Sequence, residues 1–287
     1  MKSKAEQYRA GEYGFCYVAD CEGYIDEAMQ SIASLRVHMP DAPVAIVTRR
    51  ELFRDDPIVT DWVEIEQARK GPIVKTDARL VPYERVIFLD ADTLIIADLG
   101  GLFGLLEKFD FACAHEPNGH PEYGVESGVP EAFLEPNTGV FAFRKTPEVL
   151  RFFDTWIAEY DRLHAERGVA NDQPSARIAL WKSDSIRHLA LAREYNLITH
   201  ANCSVSGPIA VIHDRSEERH RLARTVNQRI EARAIVSGYG PVYGFAGRRG
   251  WIRQHIRLTQ SFLRILFRPG YLRQEGHPVI WWRDGID

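Results

Sequence analysis

The chain has 287 residues, 45% of them apolar and 26% charged, with a formal net charge of −4. This is ordinary globular usage, against a disordered or fibrous chain and against a surface devoted to nucleic acid, and the length suffices for one large α/β domain or two small ones. Four scattered cysteines, Cys16, Cys21, Cys113 and Cys203, form no CxxC pair and read as reduced thiols of a cytoplasmic protein. A charged N-terminus and the lack of about eighteen consecutive apolar residues set the expectation against secretion or a membrane span.

Phe15 to Val18 forms a short apolar run, after which Ile25, Ala28, Met29, Ile32 and Leu35 recur at helical spacing. Val44 to Val47 follows the turn residues Pro40, Asp41 and Pro43, which predicts a β-α-β opening with parallel strands. Val86 to Leu89 is a buried-type strand that ends on Asp90-Ala91-Asp92. Further strands are predicted at Phe109–Ala114, Gly139–Phe143 and Ile209–Ile212, with a helix from Pro147 to about His164. The stretch from Glu116 to Pro136, rich in Pro, Gly and Glu, predicts a long binding loop or lid. A second helix is expected to begin at Asp172-Gln173-Pro174, because proline favours the first helical position. From about Ser216 the composition turns Arg-rich, which places a catalytic domain at 11–215 and a C-terminal extension at 216–287, with a hinge at 238–241.

Two carboxylates two residues apart at a strand end can hold a hard divalent cation, and open α/β sheets bind ligands beyond the carboxyl ends of their strands. Such a cation stabilises the charge on a departing nucleoside diphosphate. The same strand-Asp-Ala-Asp-Thr pattern also fits a haloacid-dehalogenase-like phosphatase with Asp90 as covalent nucleophile and Asp92 as acid/base, although no downstream GDxxxD is present. No GxGxxG opens a helix, which disfavours a dinucleotide-binding dehydrogenase. The loop after the first strand, Ala19-Asp20-Cys21-Glu22, is not that of a nucleotidylyltransferase.

Between residues 14 and 215 the chain resembles the GT-A glycosyltransferases, in particular the family that includes glycogenin and lipopolysaccharide galactosyltransferases. The carriers are Ala78-Arg79-Leu80, Val86-Ile-Phe-Leu-Asp-Ala-Asp92, Asn137-Thr-Gly139, Asn171-Asp-Gln173 and Val211-Ile-His213. The resemblance implies a Rossmann-like, mainly parallel sheet flanked by helices, and transfer of a hexose from a UDP- or GDP-sugar to a hydroxyl of a glycan, lipid-linked or small-molecule acceptor. It further implies a manganese ion on Asp90, Asp92 and His213, with magnesium as the alternative; an imidazole added to carboxylates suits manganese. Ala19, Asp20, Tyr24, Arg79, Ala91, Asn137 and Gly139 would contact the donor, together with Asp90. Asp172 and Gln173, joined by Asn137, would face the reacting centre, and an amide in that place agrees with a retaining reaction. Each also has a plainer reading: Asp172 as a helix N-cap, Arg79 as a surface arginine, Asn137-Thr-Gly139 as a loop-to-strand turn, His213 as a turn histidine.

One departure from the family is the segment His213-Asp-Arg-Ser-Glu-Glu-Arg-His220, where relatives carry a Gly-x-Lys-Pro-Trp whose lysine grips the diphosphate; Arg215 or Arg219 is the available substitute. The departure also keeps open a non-catalytic nucleotide-sugar or glycan binder of the same fold. In the segment 248–273, Arg253, Arg257, Arg264 and Arg268 fall within an arc of roughly 60° on a helix, opposite an apolar face with Trp251, Ile256, Phe262 and Leu266. Such a basic helix suits peripheral contact with the inner face of a membrane or, alternatively, packing on the catalytic domain or a second subunit.

Overall fold

The structure, a computed structural model, describes residues 11–66, 69, 71–116, 128–199, 203–205, 207–216, 218–224, 226–229, 234–236 and 242–244. In chain order the elements are β1 (Tyr13–Val18), α1 (Glu22–His38), β2 (Val44–Thr48), β3 (Asp61–Glu64), a 3₁₀ segment (Pro72–Leu80), β4 (Arg85–Leu89), β5 (Thr93–Ile95), α2 (Gly101–Leu105), β6 (Phe111–His115) and β7 (Pro136–Arg144). There follow α3 (Pro147–Arg167), α4 (Gln173–Trp181), β8 (His188–Ala190), β9 (Leu197–Ile198), β10 (Cys203–Val205), β11 (Val211–His213), α5 (Glu218–Ala223), α6 (Val226–Arg229), β12 (Ala234–Val236) and β13 (Val242–Gly244).

Seven strands form the main sheet in the order β3-β2-β1-β4-β7-β6-β8. All its pairs are parallel except β4–β7 and β6–β7. Alternate residues of β1 show why the sheet is a central layer: Phe15 and Tyr17 pack with α1 and α2 on one face, Cys16 and Val18 with α3 and α4 on the other. On that second face Phe88, Phe111, Phe141, Phe143, Phe152, Phe153 and Trp156 are all buried, with Phe88 stacked on Phe141 at 4.5 Å between centroids. Burial on this scale supplies the driving force that fixes the layers.

The predicted elements recur with shifted edges, and each shift has a local cause. β6 begins at Phe111, because the Phe109 N–H is spent closing the turn onto Leu105 O at 3.0 Å. Likewise β11 begins at Val211, since the Ile209 and Ala210 N–H groups donate to Asn227 Oδ1 and Glu194 O instead. α3 runs to Arg167, where Gly168 at φ +69° closes it in the left-handed region. Residues 117–127 of the predicted loop, the hinge at 238–241 and the basic segment 248–273 lie outside the described residues.

A small sheet, β5-β11-β9, stands beside the main one. Packing continues past residue 215: β12 pairs with β10, and Val226 is buried with Leu197, Val205, Ile209 and Ile212. Among the described residues no helix is long and apolar enough to cross a membrane.

Gly14 on β1 tests this packing. A Cβ there would lie 2.1 Å from the ring of Tyr83, which is buried and donates its hydroxyl to Asp61 at 2.6 Å. The Gly14→Ala protein is expected to lose about 1–3 kcal/mol of stability in urea unfolding through overpacking; unchanged stability would mean that the ring can move aside.

Candidate functional site

The site lies where the carboxyl ends of β1 and β4 meet the amino end of β7. Because β7 runs antiparallel to β4, its first residues flank the loop leaving β4, and the Asp90 N–H donates to Gly139 O at 2.8 Å. The chain turns at once into β5, whose antiparallel partner β11 sets His213 opposite Thr93. Asp92 precedes Thr93, so the register itself delivers the imidazole: Nε2 lies 3.1 Å from Asp92 Oδ1 and 3.8 Å from Asp90 Oδ2. Beneath the turn, the hydroxyls of Tyr17, Ser31 and Thr93 follow one another at 3.0 and 2.8 Å, and Thr93 donates to Asp90 O at 2.8 Å. That row braces the backbone between the two carboxylates.

Ligand atoms of Asp90, Asp92 and His213 all lie within 4.8 Å of one another. Two carboxylates and an imidazole nitrogen, the carboxylates open to a cavity, make a donor set that fits a divalent metal ion. A Cβ on Gly139 would come within 2.0 Å of the imidazole, so the glycine is what leaves room for His213 at all.

Sequence reasoning missed Lys75. Its ammonium is buried and donates to Asp90 Oδ2 at 3.1 Å, Thr138 Oγ1 at 3.2 Å and Thr138 O at 3.3 Å, with Asp172 Oδ1 at 3.7 Å. Burial works against the charge on Lys75, but Asp172 and Asp90 outweigh it and hold the ammonium above its ordinary value. Burial likewise pushes the Asp90 carboxyl up, against Lys75 and His213. Asp92 goes the other way: against burial, the hydrogen bond and charge of His213 and the charge of Arg215 hold it well below the usual carboxylate range. His213 is disfavoured as a cation by burial, yet Asp92 and Asp90 raise it above its ordinary value. A lysine between Val74 and Thr76, in a run with Pro72 and Ile73, was the one available signal.

A cavity of about 440 Å³ opens on the carboxylates, lined among others by Asp20, Tyr24, Gly71, Lys75, Asp90, Ala91, Asp92 and Arg215. Of the residues expected to contact a donor, Asp20, Tyr24, Asp90 and Ala91 line this cavity, while Ala19 is buried and does not. The Arg215 guanidinium lies 5.2 Å from the Tyr24 ring centroid, and its Nε is 3.5 Å from Asp92 Oδ2. Arg219 is instead a buried strut, donating from Nη1 to the carbonyls of Asp92 and Asp214 at 3.0 and 2.8 Å. Arg79 pairs with Asp154 on α3 at 2.5 Å and does not line the cavity.

Asp172 occupies the N-cap position of α4 but makes no side-chain capping bond. Its buried carboxylate accepts from Thr138 Oγ1 at 2.7 Å and faces Lys75, while Trp156 Nε1 and Ser175 Oγ hold its carbonyl at 3.0 and 2.6 Å. The capping alternative therefore does not describe it. Gln173 Oε1 is buried with no hydrogen-bond partner among the described residues. Asn137 and Gly139 sit behind His213, away from the cavity lining.

No protein-family model and no curated protein sequence matches the chain. Among solved structures it is similar to the galactosyltransferase LgtC in complex with donor and acceptor sugar analogs, at TM-score 0.52 and 13% identity, over 76% of this chain and 97% of that one. An active-site mutant of LgtC gives 0.50 and 14% over the same shares. The glycosyltransferase GlyE of Streptococcus pneumoniae TIGR4 gives 0.49 and 17% over 66% of this chain, which spans only 48% of GlyE. The likeness to LgtC shows the fold, a GT-A arrangement of a mainly parallel sheet between helices.

The His213–Asp92 pair has a pH signature in the metal-free protein. Its stabilisation is complete below the imidazole's unfolded value of about 6.5 and is lost as pH rises through the higher folded value. The melting-temperature gap between wild type and His213→Asn should accordingly narrow on going from mildly acidic to alkaline buffer, whereas a gap that widens or stays constant would contradict the pairing.

Proposed function

We propose that this GT-A chain is a metal-dependent glycosyltransferase that moves a hexose from a UDP- or GDP-sugar to a hydroxyl of a glycan, lipid-linked or small-molecule acceptor, with retention. One observation carries the proposal: Asp90 and Asp92 line a cavity together with Lys75 and Arg215, and His213 converges on the same two carboxylates. Manganese held by the two carboxylates and His213 Nε2, or magnesium in its place, supplies positive charge where the diphosphate leaves.

The chain's own residues supply the rest. Arg215, steadied by Tyr24 and Glu27, is placed to meet phosphate oxygens and takes the part of the lysine absent from the His213–His220 segment. Asp20 and Tyr24 border the end of the cavity assigned to the base, with Ala91 shaping its backbone wall. Arg79 reaches the donor by exchanging its exposed pair with Asp154, which costs little. Lys75 bridges Asp90 and Asp172, and Asp172 with Gln173 faces the anomeric carbon. An amide cannot accept a proton at neutral pH, so Gln173 orients rather than deprotonates. A leaving phosphate oxygen is then the group that takes the acceptor's proton, which is the retaining course. Asn137 and Gly139 contribute from behind His213. Cytoplasmic placement belongs to the same proposal.

The phosphatase alternative needs Asp92 to donate a proton, yet His213 and Arg215 hold that carboxyl ionised. A non-catalytic binder has no use for a buried Lys75–Asp172 pair facing the metal ligands.

Incubation with manganese and a panel of nucleotide-sugars tests the reading. At least one donor should be hydrolysed slowly without acceptor, Asp92→Ala should abolish manganese-dependent donor binding, and Asp172→Asn should lower kcat at least tenfold with near-normal donor affinity. Donor binding without turnover across the panel would favour the binder, and no binding of any donor would sink the proposal.

A further inference from the structure

Behind His213 runs a largely buried chain of side chains whose outer members, Asn196 and Glu116, have no part in the proposed reaction. Asn196 follows the turn at Arg193–Tyr195 and leads into β9, Asn137 lies on β7, and Glu116 follows β6. Asn196 and Asn137 are only 4% and 3% exposed, so each amide must find its partners inside the protein.

The direction of every bond in this chain follows from its ends. The Gly139 N–H can only donate, and it meets Asn137 at 3.0 Å, so the atom it meets is Oδ1. The other end of that amide is then Nδ2, and it lies 2.6 Å from Glu116 Oε1, a carboxylate oxygen that accepts. Asn137 Oδ1 is also 2.6 Å from the Asn196 amide, which must present Nδ2 to it. Asn196 Oδ1 is thereby turned to His213 Nδ1 at 3.0 Å. An amide oxygen only accepts, so the proton between them belongs to Nδ1. Assignment of amide and ring orientations is normally a matter of network consistency; here a backbone N–H at one end and a carboxylate at the other leave a single consistent choice.

We propose that Asn196, oriented by Asn137 and Glu116, is a positioning residue that holds the neutral His213 imidazole with its proton on Nδ1 and the lone pair of Nε2 turned to Asp90 and Asp92. Without this acceptor, Nε2 can carry the proton and donate to Asp92 Oδ1, 3.1 Å away, which blocks the atom needed as a ligand. In the neutral ring the second shell thus works against the competing tautomer. Gly139 serves the relay twice, through its N–H to Asn137 and through the space it leaves for the ring. The use made of the lone pair rests on the metal reading above; the tautomer does not.

The test is ¹⁵N-labelled NMR of the metal-free protein at alkaline pH, where the imidazole is neutral, with the His213 signals assigned by their loss in His213→Gln. Wild type should show protonated Nδ1 and bare Nε2. Asn196→Leu should show protonated Nε2 and bind manganese about tenfold or more weakly by calorimetry. Protonated Nε2 in wild type would overturn the proposal, as would a folded Asn196→Leu protein with unchanged ring shifts and manganese affinity. If Asn196→Leu fails to fold, the wild-type spectrum decides. A wild-type protein with the expected tautomer that binds no manganese would uphold the positioning role and count against the metal reading alone.

Discussion

Two carboxylates two residues apart repel each other, and the architecture around them is arranged so that this repulsion is tolerable. Lys75 on the 3₁₀ segment neutralises Asp90, while His213 at the end of β11 and Arg215 just beyond it flank Asp92. These partners come from parts of the chain more than a hundred residues apart. Holding them together requires the antiparallel insertion of β7 next to β4 and the second small sheet that carries β11. In the partly dry setting of the cavity such charges interact more strongly than at a surface, so the metal-free cluster already has an internal balance of charge that an entering cation would redistribute.

Polar contacts join the two sheets at this point, beside a shared apolar core in which Ile95 and Val211 are buried with Leu89 and Val140. Asp214 N–H donates to Asp92 O at 3.2 Å, Arg219 donates to the same carbonyl, and the Asn137–Asn196 bond ties β7 to the approach of β9. Buried polar links of this kind are directional, and their function is to fix an arrangement rather than to add much net stability. That division suits the molecule. Phe and Trp side chains against α3 provide the cohesion, and the amides and arginines set the angles of the site.

How far the sequence announced this depends on the kind of signal each part carries. Strands such as Val44–Thr48 and Arg85–Leu89 are short apolar runs between turn residues, and the face of α1 has a 3.6-residue period, so both were legible. The Asp90-Ala91-Asp92 cluster stood out because charge follows directly on a buried strand, and His213 because it ends another. Lys75 was hidden: its segment is 3₁₀, which has no 3.6-residue period to mark an inward face, and Arg79 four residues on drew the attribution instead. Asn196 and Thr138 carry no local signal, since their importance arises only when β7, β9 and β11 converge. β5 is three residues long and lies directly after the acidic pair, too short to register as an apolar run. The alternation along β7 was invisible as well, because Pro136 to Phe143 is buried on both faces.

The claim on which all else turns is that Asp90, Asp92 and His213 Nε2 share one cation. Crystals of the protein grown with manganese and a nucleoside diphosphate, with diffraction recorded on both sides of the manganese absorption edge, test it directly. The account predicts an anomalous peak within about 2.0–2.3 Å of one oxygen of each aspartate and of His213 Nε2. A manganese peak that lies elsewhere, or one bound by the aspartates with Nε2 still donating to Asp92, would contradict it.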